Sequence, residues 1–445
     1  MNTLGGMSDV TIGPFTRPFK AAVTPPGSKS LTNRALVMAA LADGQSTLRN
    51  VLFADDTAVM LDGLRRLGFG VEVDRGAKAV RVRGEGGAIP ASSAELFCGN
   101  SGTTIRFLTA MCSLGRGWFR LDGVPRMRQR PIGELVEVLK NLGVRIKYLG
   151  GEGFPPIEVL ADGLPGGILR YGEAQSSQYL SAVLMASPYA KHEVRVDLEG
   201  RQTSWPYVAM TMQLMDSFGV LVEVLREKLT GRPQAIVVPQ EKYRAADYAV
   251  EPDASGAGYF LALAALHEGS KVTIEGLGKR SLQGDVGFAD VLHRMGADLI
   301  FGGDFVTMMG TGKLEGIDVD LLGMPDMAQT LAVVALFADG PTTMRGVHTL
   351  RVKETDRVAA LANELGKLGA EVEVGDDGDV MTITPPEGGV RPAAIDTYDD
   401  HRMAMSFALA GTKSAGVTIR AAECVNKTYP EFFADLERVR RGGGA

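Results

Sequence analysis

The chain has 445 residues, of which 45% are hydrophobic and 22% charged, and its net charge is −6. This composition is typical of a globular protein of two or three domains, and the acidic balance argues against a general nucleic-acid surface. The three cysteines lack metal-ligand spacing and the five histidines form no His-x-x-x-His pair, so we expect neither a disulfide framework nor a zinc enzyme.

No apolar run in the sequence approaches the length of a membrane span, and the first residues, MNTLGGMSDV, do not resemble a secretory signal. We therefore expect a cytoplasmic protein with no membrane partner. The first predicted element is a strand in TIGPFTRPFKAAVTP, at residues 11–25.

The stretch TPPGSKSLTNR, at residues 24–34, runs directly into the apolar ALVMAALA. This pattern predicts a helix that begins near Ser30, with Lys29 and Arg34 in its first turn. Cations at a helix N-terminus are unfavourable by about 0.3–1 kcal/mol each. A bound anion would make them favourable, so the pattern indicates an anion site. The alternative is a serine N-cap followed by a solvated lysine.

A helix that ends in glycine and leads into a strand recurs along the chain, as in LRRLGFGVEV and LGKLGAEVEV. Glycine suits the left-handed residue that closes such a helix. By subtraction of their numbers, the five glycines are 73 to 77 residues apart. They are Gly68, Gly143, Gly219, Gly296 and Gly369.

A second helix type, rich in Ala and Leu and followed by a β run, alternates with the first and occurs six times, from ALVMAALADGQSTLRNV to MAMSFALAGTKSAGVTIRA. The chain is therefore predicted to be six α/β units of about 75 residues. YPEFFADLERVR would be the last helix of the first type, without its strand. Three units per half predict a discontinuous domain, 1–27 plus 252–445, and a second domain, 28–251. The N-terminal strand would supply the pairing that the last unit lacks.

The starts of the predicted helices are rich in hydroxyl, amide, glycine and basic residues, as in GNSGTTIR and VKETDR. If the units pack symmetrically, these starts meet in one cleft, and its cations make it strongly electropositive. Such a cleft fits one or two small ligands with several negative charges. The cations concerned are Lys29, Arg34, Arg106, Arg130, Lys353, Arg357, Arg402 and Lys427.

Each of these motifs also has a purely structural interpretation. Lys353 and Arg357 would fit an exposed like-charge face, and Asp399 and Asp400 would fit a helix cap with His401 on the surface. Ser176, Ser177 and Gln178 fit a cap and a turn. A nucleotide-binding loop is disfavoured, because GSKS does not have the glycine spacing of the Walker pattern.

Eight motifs together resemble the 5-enolpyruvylshikimate-3-phosphate synthase family, in that family's order, from about residue 15 to 435. They are PPGSKSLTNRAL, GNSGTTIRFL, PRMRQRPI, SSQYL, GDVGFADVL, RVKETDRV, TYDDHRMAM and NKTYP. The resemblance implies an α/β fold with two domains, each of three βαβαββ units in an inside-out α/β barrel, joined by a double crossover. It implies transfer of the enolpyruvyl group of phosphoenolpyruvate to shikimate 3-phosphate, without a cofactor or metal.

The resemblance also implies two sets of substrate-binding residues. For shikimate 3-phosphate they are Lys29, Ser30, Arg34, Ser176, Ser177, Gln178, Ser204, Tyr207, Asp326 and Lys353. For phosphoenolpyruvate they are Lys29, Asn100, Gly102, Thr103, Arg130, Gln178, Arg357, Arg402 and Lys427.

The implied reaction is an addition followed by an elimination, through a tetrahedral intermediate. Glu354 would be the acid that protonates the methylene carbon, and Asp326 the base at the 5-hydroxyl. Lys29 and Lys427 would stabilise developing charge, and His401 would orient its neighbours. We expect a monomer. Two alternatives remain: the related UDP-N-acetylglucosamine enolpyruvyl transferase, which has Lys-Asn where this chain has Lys29 and Ser30, and a non-catalytic α/β repeat scaffold that binds an anionic partner.

Overall fold

The computed structural model describes residues 8–442. The chain folds into two compact units, which we name by their position in the sequence. The central unit is Gly27–Glu251, and the terminal unit combines Met1–Pro26 with Pro252–Ala445. The chain thus passes from one unit to the other twice.

Two short strands precede the central unit: β1 (Val10–Ile12) and β2 (Lys20–Val23). The central unit then alternates helices and strands. They are α1 (Lys29–Leu41), β3 (Asp43–Arg49), α2 (Asp55–Arg66), β4 (Gly70–Asp74), β5 (Ala79–Glu85), β6 (Ser93–Phe97), α3 (Gly102–Cys112), β7 (Arg116–Asp122), α4 (Gly133–Asn141), β8 (Arg145–Tyr148), β9 (Ile157–Asp162), β10 (Gly167–Tyr171), α5 (Ser177–Ala186), β11 (Val194–Leu198), α6 (Trp205–Ser217), β12 (Glu223–Arg226), β13 (Pro233–Val238) and β14 (Asp247–Ala249).

The remainder of the terminal unit repeats this alternation. Its elements are α7 (Ala254–Leu266), β15 (Lys271–Glu275), α8 (Phe288–Arg294), β16 (Asp298–Phe301), β17 (Phe305–Met309), β18 (Asp318–Asp320), α9 (Ala328–Ala335), β19 (Thr342–Arg345), α10 (Arg357–Lys367), β20 (Glu371–Val374), β21 (Val380–Thr384), β22 (Ala393–Ile395), α11 (His401–Lys413), β23 (Val417–Ile419) and α12 (Phe432–Arg440).

The sheets confirm the predicted βαβαββ unit. In the sheet β6-β7-β9-β8, a parallel pair is joined through α3, and the hairpin β8–β9 adds antiparallel to β7 after α4. The described residues form five four-stranded sheets of this order and one three-stranded sheet, β1-β23-β22. The predicted α/β fold class of repeated units is therefore correct.

The N-terminal segment pairs as predicted, but it forms two strands rather than one. β1 adds antiparallel to β23, with Val10 opposite Ile419, and so completes the last unit. β2 instead pairs parallel with β15, with Val23 opposite Ile274. The reason for the break is the pair of prolines between them, Pro14 and Pro18, because proline cannot donate to a strand ladder.

The Ala/Leu helices form the core of each unit. α7 is buried along its whole length, and α1 is buried from Leu31 to Leu41. A helix that is apolar on all sides must be covered on all sides, which explains why the sheets and the amphipathic helices surround them. The five predicted glycines all have positive φ, between +85° and +119°, which confirms the left-handed ends. Within residues 8–442, we found no helix long and apolar enough to cross a bilayer.

His267 is a buried histidine in the terminal unit, and it makes stability sensitive to pH. Its ring packs on Phe15 and Phe19, with centroids 5.4 and 5.7 Å away, and Nε2 lies 3.0 Å from Thr412 Oγ1. Burial, with a smaller contribution from Lys413, lowers the pKa of His267 from 6.5 to about 4. Between these values the unfolded chain binds a proton that the folded chain does not. The contribution of the neutral His267 to the free energy of unfolding is therefore fully present above pH 6.5 and is lost as the pH falls towards 4.

We expect the free energy of unfolding, measured with urea, to fall on the order of 3 kcal/mol between pH 7 and 4 from this residue. His267→Gln should remove most of that dependence. The control, His192→Gln, changes an exposed histidine and should leave the pH profile as in the wild type. Equal pH dependence in wild type and His267→Gln would contradict the assignment.

Candidate functional site

The starts of the three buried helices of the central unit lie together and are joined by side-chain hydrogen bonds. Asn33 Nδ2 of α1 donates to Thr103 Oγ1 of α3 over 2.7 Å. Arg106 Nη1 of α3 donates to Gln178 Oε1 of α5 over 2.6 Å. Within this unit, polar residues that are far apart in sequence therefore meet at one end of the helices, as symmetric packing of the units requires.

Lys29 is the first residue of α1, directly after the N-cap Ser28. Its side chain is 12% exposed, and Nζ lies 3.3 Å from Oδ2 of the buried Asp56, in the first turn of α2. The alternative of a solvated lysine is therefore wrong. The first turn of α1 has no acidic residue of its own, so the charge that offsets Lys29 comes from a neighbouring helix.

Two arginines approach the start of α3, whose first turn contains no acidic residue. Arg130 Nη1 donates to the backbone oxygen of Asn100 over 2.8 Å and to its Oδ1 over 3.2 Å. A Cβ at Gly102 would lie 2.7 Å from Arg130 Nη2 and 3.2 Å from Arg106 Nη1. Glycine at this position thus leaves room for two guanidinium groups at the positive end of a helix, an arrangement that favours a bound anion.

Two of the predicted serines, Ser176 and Ser177, border a small crevice. Ser176 is the N-cap of α5 and Ser177 its first residue, and both are buried except for about a tenth of their surface. Ser204, the N-cap of α6, has a left-handed backbone with φ of 51°. The crevice is lined by Ser176 and Ser177 together with Tyr171 and Thr203. Several hydroxyl groups at helix starts suit an anionic oxygen cluster.

The prediction that Arg34 lies in the first turn of the helix is wrong. Because α1 begins at Lys29, Arg34 lies in the second turn. Its side chain is buried, and its nitrogens donate to Thr211 Oγ1, Ser181 Oγ and the backbone oxygen of Ser30 over 2.7, 3.2 and 3.0 Å. Burial lowers the pKa of Arg34 to about 10. The guanidinium therefore stays charged at neutral pH while it contacts neutral oxygens.

Arg357 is the centre of the polar cluster of the terminal unit, and it is 1% exposed. Its nitrogens donate to Asp400 Oδ2 over 2.7 Å, Glu354 Oε2 over 3.0 Å and Asp326 Oδ1 over 3.2 Å. Burial opposes the charge, but the three carboxylates outweigh it and raise the pKa of Arg357. Arg357 is thus a permanent cation that orients both acidic residues predicted for catalysis.

Asp326 also binds two further cations. Arg402 Nη2 donates to its Oδ2 over 2.7 Å, and Lys353 Nζ lies 3.9 Å from its Oδ1. The expectation of a large cation surplus is therefore wrong for these residues, where three cations face Asp326, Glu354 and Asp400. The exposed like-charge face considered for Lys353 and Arg357 is also wrong, since Arg357 is buried.

Two further predicted residues, His401 and Lys427, are buried as well. His401 is 0% exposed, with Nδ1 3.6 Å from Asp400 Oδ1, so the surface alternative is wrong. Asp400 does cap α11, by accepting from the backbone N–H of Arg402 over 2.9 Å, and it binds Arg357 as well. Lys427, 8% exposed, is the last residue of a 3₁₀ helix.

Sequence reasoning missed the carboxylates that partner these cations. Asp400 was interpreted only as part of a helix cap and Asp56 was not singled out, yet Asp56 binds Lys29 and Asp400 binds Arg357. Their position beside a cation-rich helix start was the available signal. Among the described residues, no three His, Cys, Asp or Glu side chains are placed to hold a metal ion.

A family model and the curated relatives of this chain indicate the same family. The family model described as EPSP synthase (3-phosphoshikimate 1-carboxyvinyltransferase) matches residues 15–436. Curated proteins named 3-phosphoshikimate 1-carboxyvinyltransferase are similar over nearly their full length. That from Ralstonia pickettii is 47% identical, covering 96% of this chain and 98% of the relative. That from Trichormus variabilis is 44% identical, with the same coverage.

Solved structures agree with this result. An EPSP synthase from Acinetobacter baumannii has a TM-score of 0.77 and 28% identity, covering 97% of this chain and 98% of its own. The enolpyruvyl transferase NikO from Streptomyces tendae has a TM-score of 0.73 at 20% identity, covering 97% and 96%, which demonstrates a shared fold.

Proposed function

Because the chain belongs to the EPSP synthase (3-phosphoshikimate 1-carboxyvinyltransferase) family, we propose that it transfers the enolpyruvyl group of phosphoenolpyruvate to the 5-hydroxyl of shikimate 3-phosphate. Inorganic phosphate is the second product, and the reaction serves the shikimate pathway of aromatic amino acid biosynthesis. The observation that carries the proposal is the set of buried cations and hydroxyls at helix starts. Both substrates contain a phosphate and a carboxylate, the groups that such donors bind.

For shikimate 3-phosphate, the proposal rests mainly on the central unit. The crevice at Ser176 and Ser177 offers hydroxyl donors for the phosphate. The buried Arg34 offers a permanent positive charge for the carboxylate, since its protein partners are neutral. The proposed residues are Lys29, Ser30, Arg34, Ser176, Ser177, Gln178, Ser204, Tyr207, Asp326 and Lys353.

For phosphoenolpyruvate, support comes from the two arginines at the start of α3. Arg130 Nη2 lies 2.7 Å from the position that a Cβ on Gly102 would take, at the N-terminus of α3, where the helix dipole adds to the charge of the guanidinium. The proposed residues are Lys29, Asn100, Gly102, Thr103, Arg130, Gln178, Arg357, Arg402 and Lys427.

The proposed chemistry uses Glu354 and Asp326. Glu354 protonates the methylene carbon while Asp326 accepts the proton of the 5-hydroxyl, which attacks the neighbouring carbon. The tetrahedral adduct then loses a proton from the new methyl group and expels phosphate. Lys29 and Lys427 stabilise the charge on the phosphate and bridging oxygens, while His401 orients Asp400.

Phosphate release tests the function directly. The purified chain should release inorganic phosphate only when phosphoenolpyruvate and shikimate 3-phosphate are both present. If UDP-N-acetylglucosamine replaces shikimate 3-phosphate as acceptor, the related transferase is the correct assignment. Binding of both anions without phosphate release favours the non-catalytic scaffold. The monomeric state and the cytoplasmic location remain predictions.

Gly102→Ala tests the phosphoenolpyruvate assignment. The new Cβ would lie 2.7 Å from Arg130 Nη2, so the guanidinium has to move away from the helix start. Because a displaced charge-assisted hydrogen bond costs about 1.5–3 kcal/mol, we expect the KM for phosphoenolpyruvate to rise about tenfold or more. The dissociation constant of shikimate 3-phosphate should change less than about twofold.

Gly366→Ala is the matched control, because Gly366 lies in α10 and a Cβ there meets nothing within 4 Å. It should leave both constants unchanged. An unaltered KM for phosphoenolpyruvate in Gly102→Ala would mean that the arginines at the start of α3 do not bind this substrate.

A further inference from the structure

Two side chains without an assigned role lie beside Arg402 in the terminal unit. Arg402 Nη2 is 3.4 Å from Ser255 Oγ, and Ser255 Oγ in turn donates a short hydrogen bond to Asp285 Oδ2. Ser255 comes from the PDAS motif at the start of α7, and Asp285 from the QGDVG motif before α8. Ser255 is 7% exposed and Asp285 is 3% exposed.

The chemistry of the three groups fixes the direction of these contacts. An ionised carboxylate only accepts hydrogen bonds, so the hydroxyl proton of Ser255 points towards Asp285. The hydroxyl oxygen then has only lone pairs left, and these face Arg402, which only donates. The negative charge of Asp285 therefore acts on Arg402 through an oriented serine hydroxyl.

The loop that carries Asp285 is fixed to the start of α7. Gln283 Oε1 accepts the backbone N–H of Ala254 over 3.0 Å, and its Nε2 donates to the backbone oxygen of Pro252 over 2.7 Å. Asp253 caps the same helix by accepting the N–H of Gly256 over 2.7 Å. Ser255 and Asp285 are thus held in place by contacts that do not involve Arg402.

We infer that Ser255 and Asp285 are positioning residues that hold the Arg402 guanidinium for phosphoenolpyruvate. This inference rests on the proposed function, in which Arg402 binds that substrate and Asp326 accepts a proton. Arg402 Nη2 is shared between Asp326 Oδ2 at 2.7 Å and Ser255 Oγ at 3.4 Å. When the guanidinium releases Asp326 and binds the substrate anion, Ser255 and Asp285 keep it aligned.

The test is steady-state kinetics of Ser255→Ala and Asp285→Asn. Each variant removes one of the groups that align the Arg402 guanidinium, so we expect the KM for phosphoenolpyruvate to rise about tenfold. The kcat should change less than about threefold, because an arginine that binds substrate and transition state alike affects mainly the KM. Ser255→Thr retains the hydroxyl and should restore a near-normal KM. Asp290→Asn, an exposed residue of α8, is the control and should behave as the wild type.

The outcomes separate this inference from the proposed function. A wild-type chain that releases no phosphate from the two substrates overturns the function and this inference with it. A wild type that turns over, with Ser255→Ala at an unchanged KM, overturns the inference alone. A fall in kcat and melting temperature without a change in KM also overturns it, because that is the result of a purely structural role. If Asp285→Asn does not fold, the pair Ser255→Ala and Ser255→Thr decides.

Discussion

Glu354→Gln is expected to lower the turnover of phosphate release about a thousandfold, within the usual range for the loss of a general acid. Glutamine has nearly the same shape as glutamate, and its Oε1 can still accept the hydrogen bond that Arg357 Nη2 now donates over 3.0 Å. The amide does not deliver a proton to carbon. The variant therefore removes the chemistry and leaves the geometry in place.

The contacts of Glu354 bear on its proposed role as the acid. Arg357 stabilises the ionised carboxylate as long as the site contains no substrate. In the proposed mechanism, the anionic substrates compete with Glu354 for the same arginine. We therefore expect Glu354→Gln to bind shikimate 3-phosphate with a dissociation constant within about threefold of the wild type, since the loss is confined to the proton-transfer step.

Isotope exchange identifies the lost step. In deuterium oxide, reversible protonation of the methylene carbon places deuterium in the vinyl group of the product and of recovered phosphoenolpyruvate. This incorporation should disappear in Glu354→Gln. The control is Glu371→Gln, which changes an exposed carboxylate at the start of β20 and should leave rate and exchange unaltered. Wild-type turnover in Glu354→Gln would refute its role as the acid.

Asp326→Asn is expected to produce the second large effect, also about a thousandfold on turnover, because the amide does not accept the proton of the 5-hydroxyl. Asp326 faces three cations, whereas the Glu354 ion pair described above is with Arg357. The carboxylate of Asp326 faces Arg357, Arg402 and Lys353 at 3.2, 2.7 and 3.9 Å. Removing its charge leaves these cations with less compensation, so we expect the two anionic substrates to bind as tightly as in the wild type or more tightly.

This combination of slow turnover and undiminished binding distinguishes loss of a base from loss of a binding group. Rapid-quench kinetics with excess protein should detect slow formation of the tetrahedral adduct. Asp304→Asn, which changes a carboxylate that is 72% exposed in the same unit, is the matched control. If Asp326→Asn instead kept its turnover and only weakened the binding of shikimate 3-phosphate, Asp326 would contribute to binding alone and would not be the base.

The repeated architecture was predictable because its signals are local. The five repeated glycines all have positive φ where a helix ends. Glycine favours this conformation because it has no Cβ. The alternation of Ala/Leu helices and β runs predicts the six units without any knowledge of the contacts between them. The helix starts carried the candidate site for a similar reason, since caps and first turns are defined by a few consecutive residues.

Contacts between residues that are far apart in the sequence were harder to predict. The segment at residues 11–25 was predicted to be one strand, whereas the structure has two strands, β1 and β2, which join different sheets. The count of cations suggested an electropositive site, but not that Asp56 and Asp400 compensate Lys29 and Arg357. A count of charges along a chain contains no distances, and Coulomb energies depend on distance and burial.

The amino-acid order by itself determined the type of fold, the units and the positions where anion-binding groups can occur, because backbone preference and hydrophobic period act within a few residues. Tertiary structure alone decided which carboxylate each arginine meets, that Arg34 lies buried among neutral oxygens, and that Ser255 and Asp285 lie beside Arg402. Apart from Arg357 and Glu354, which are three positions apart, these pairings join residues that are 30 to 177 positions apart, and only the packing of the buried helices brings them within hydrogen-bond distance.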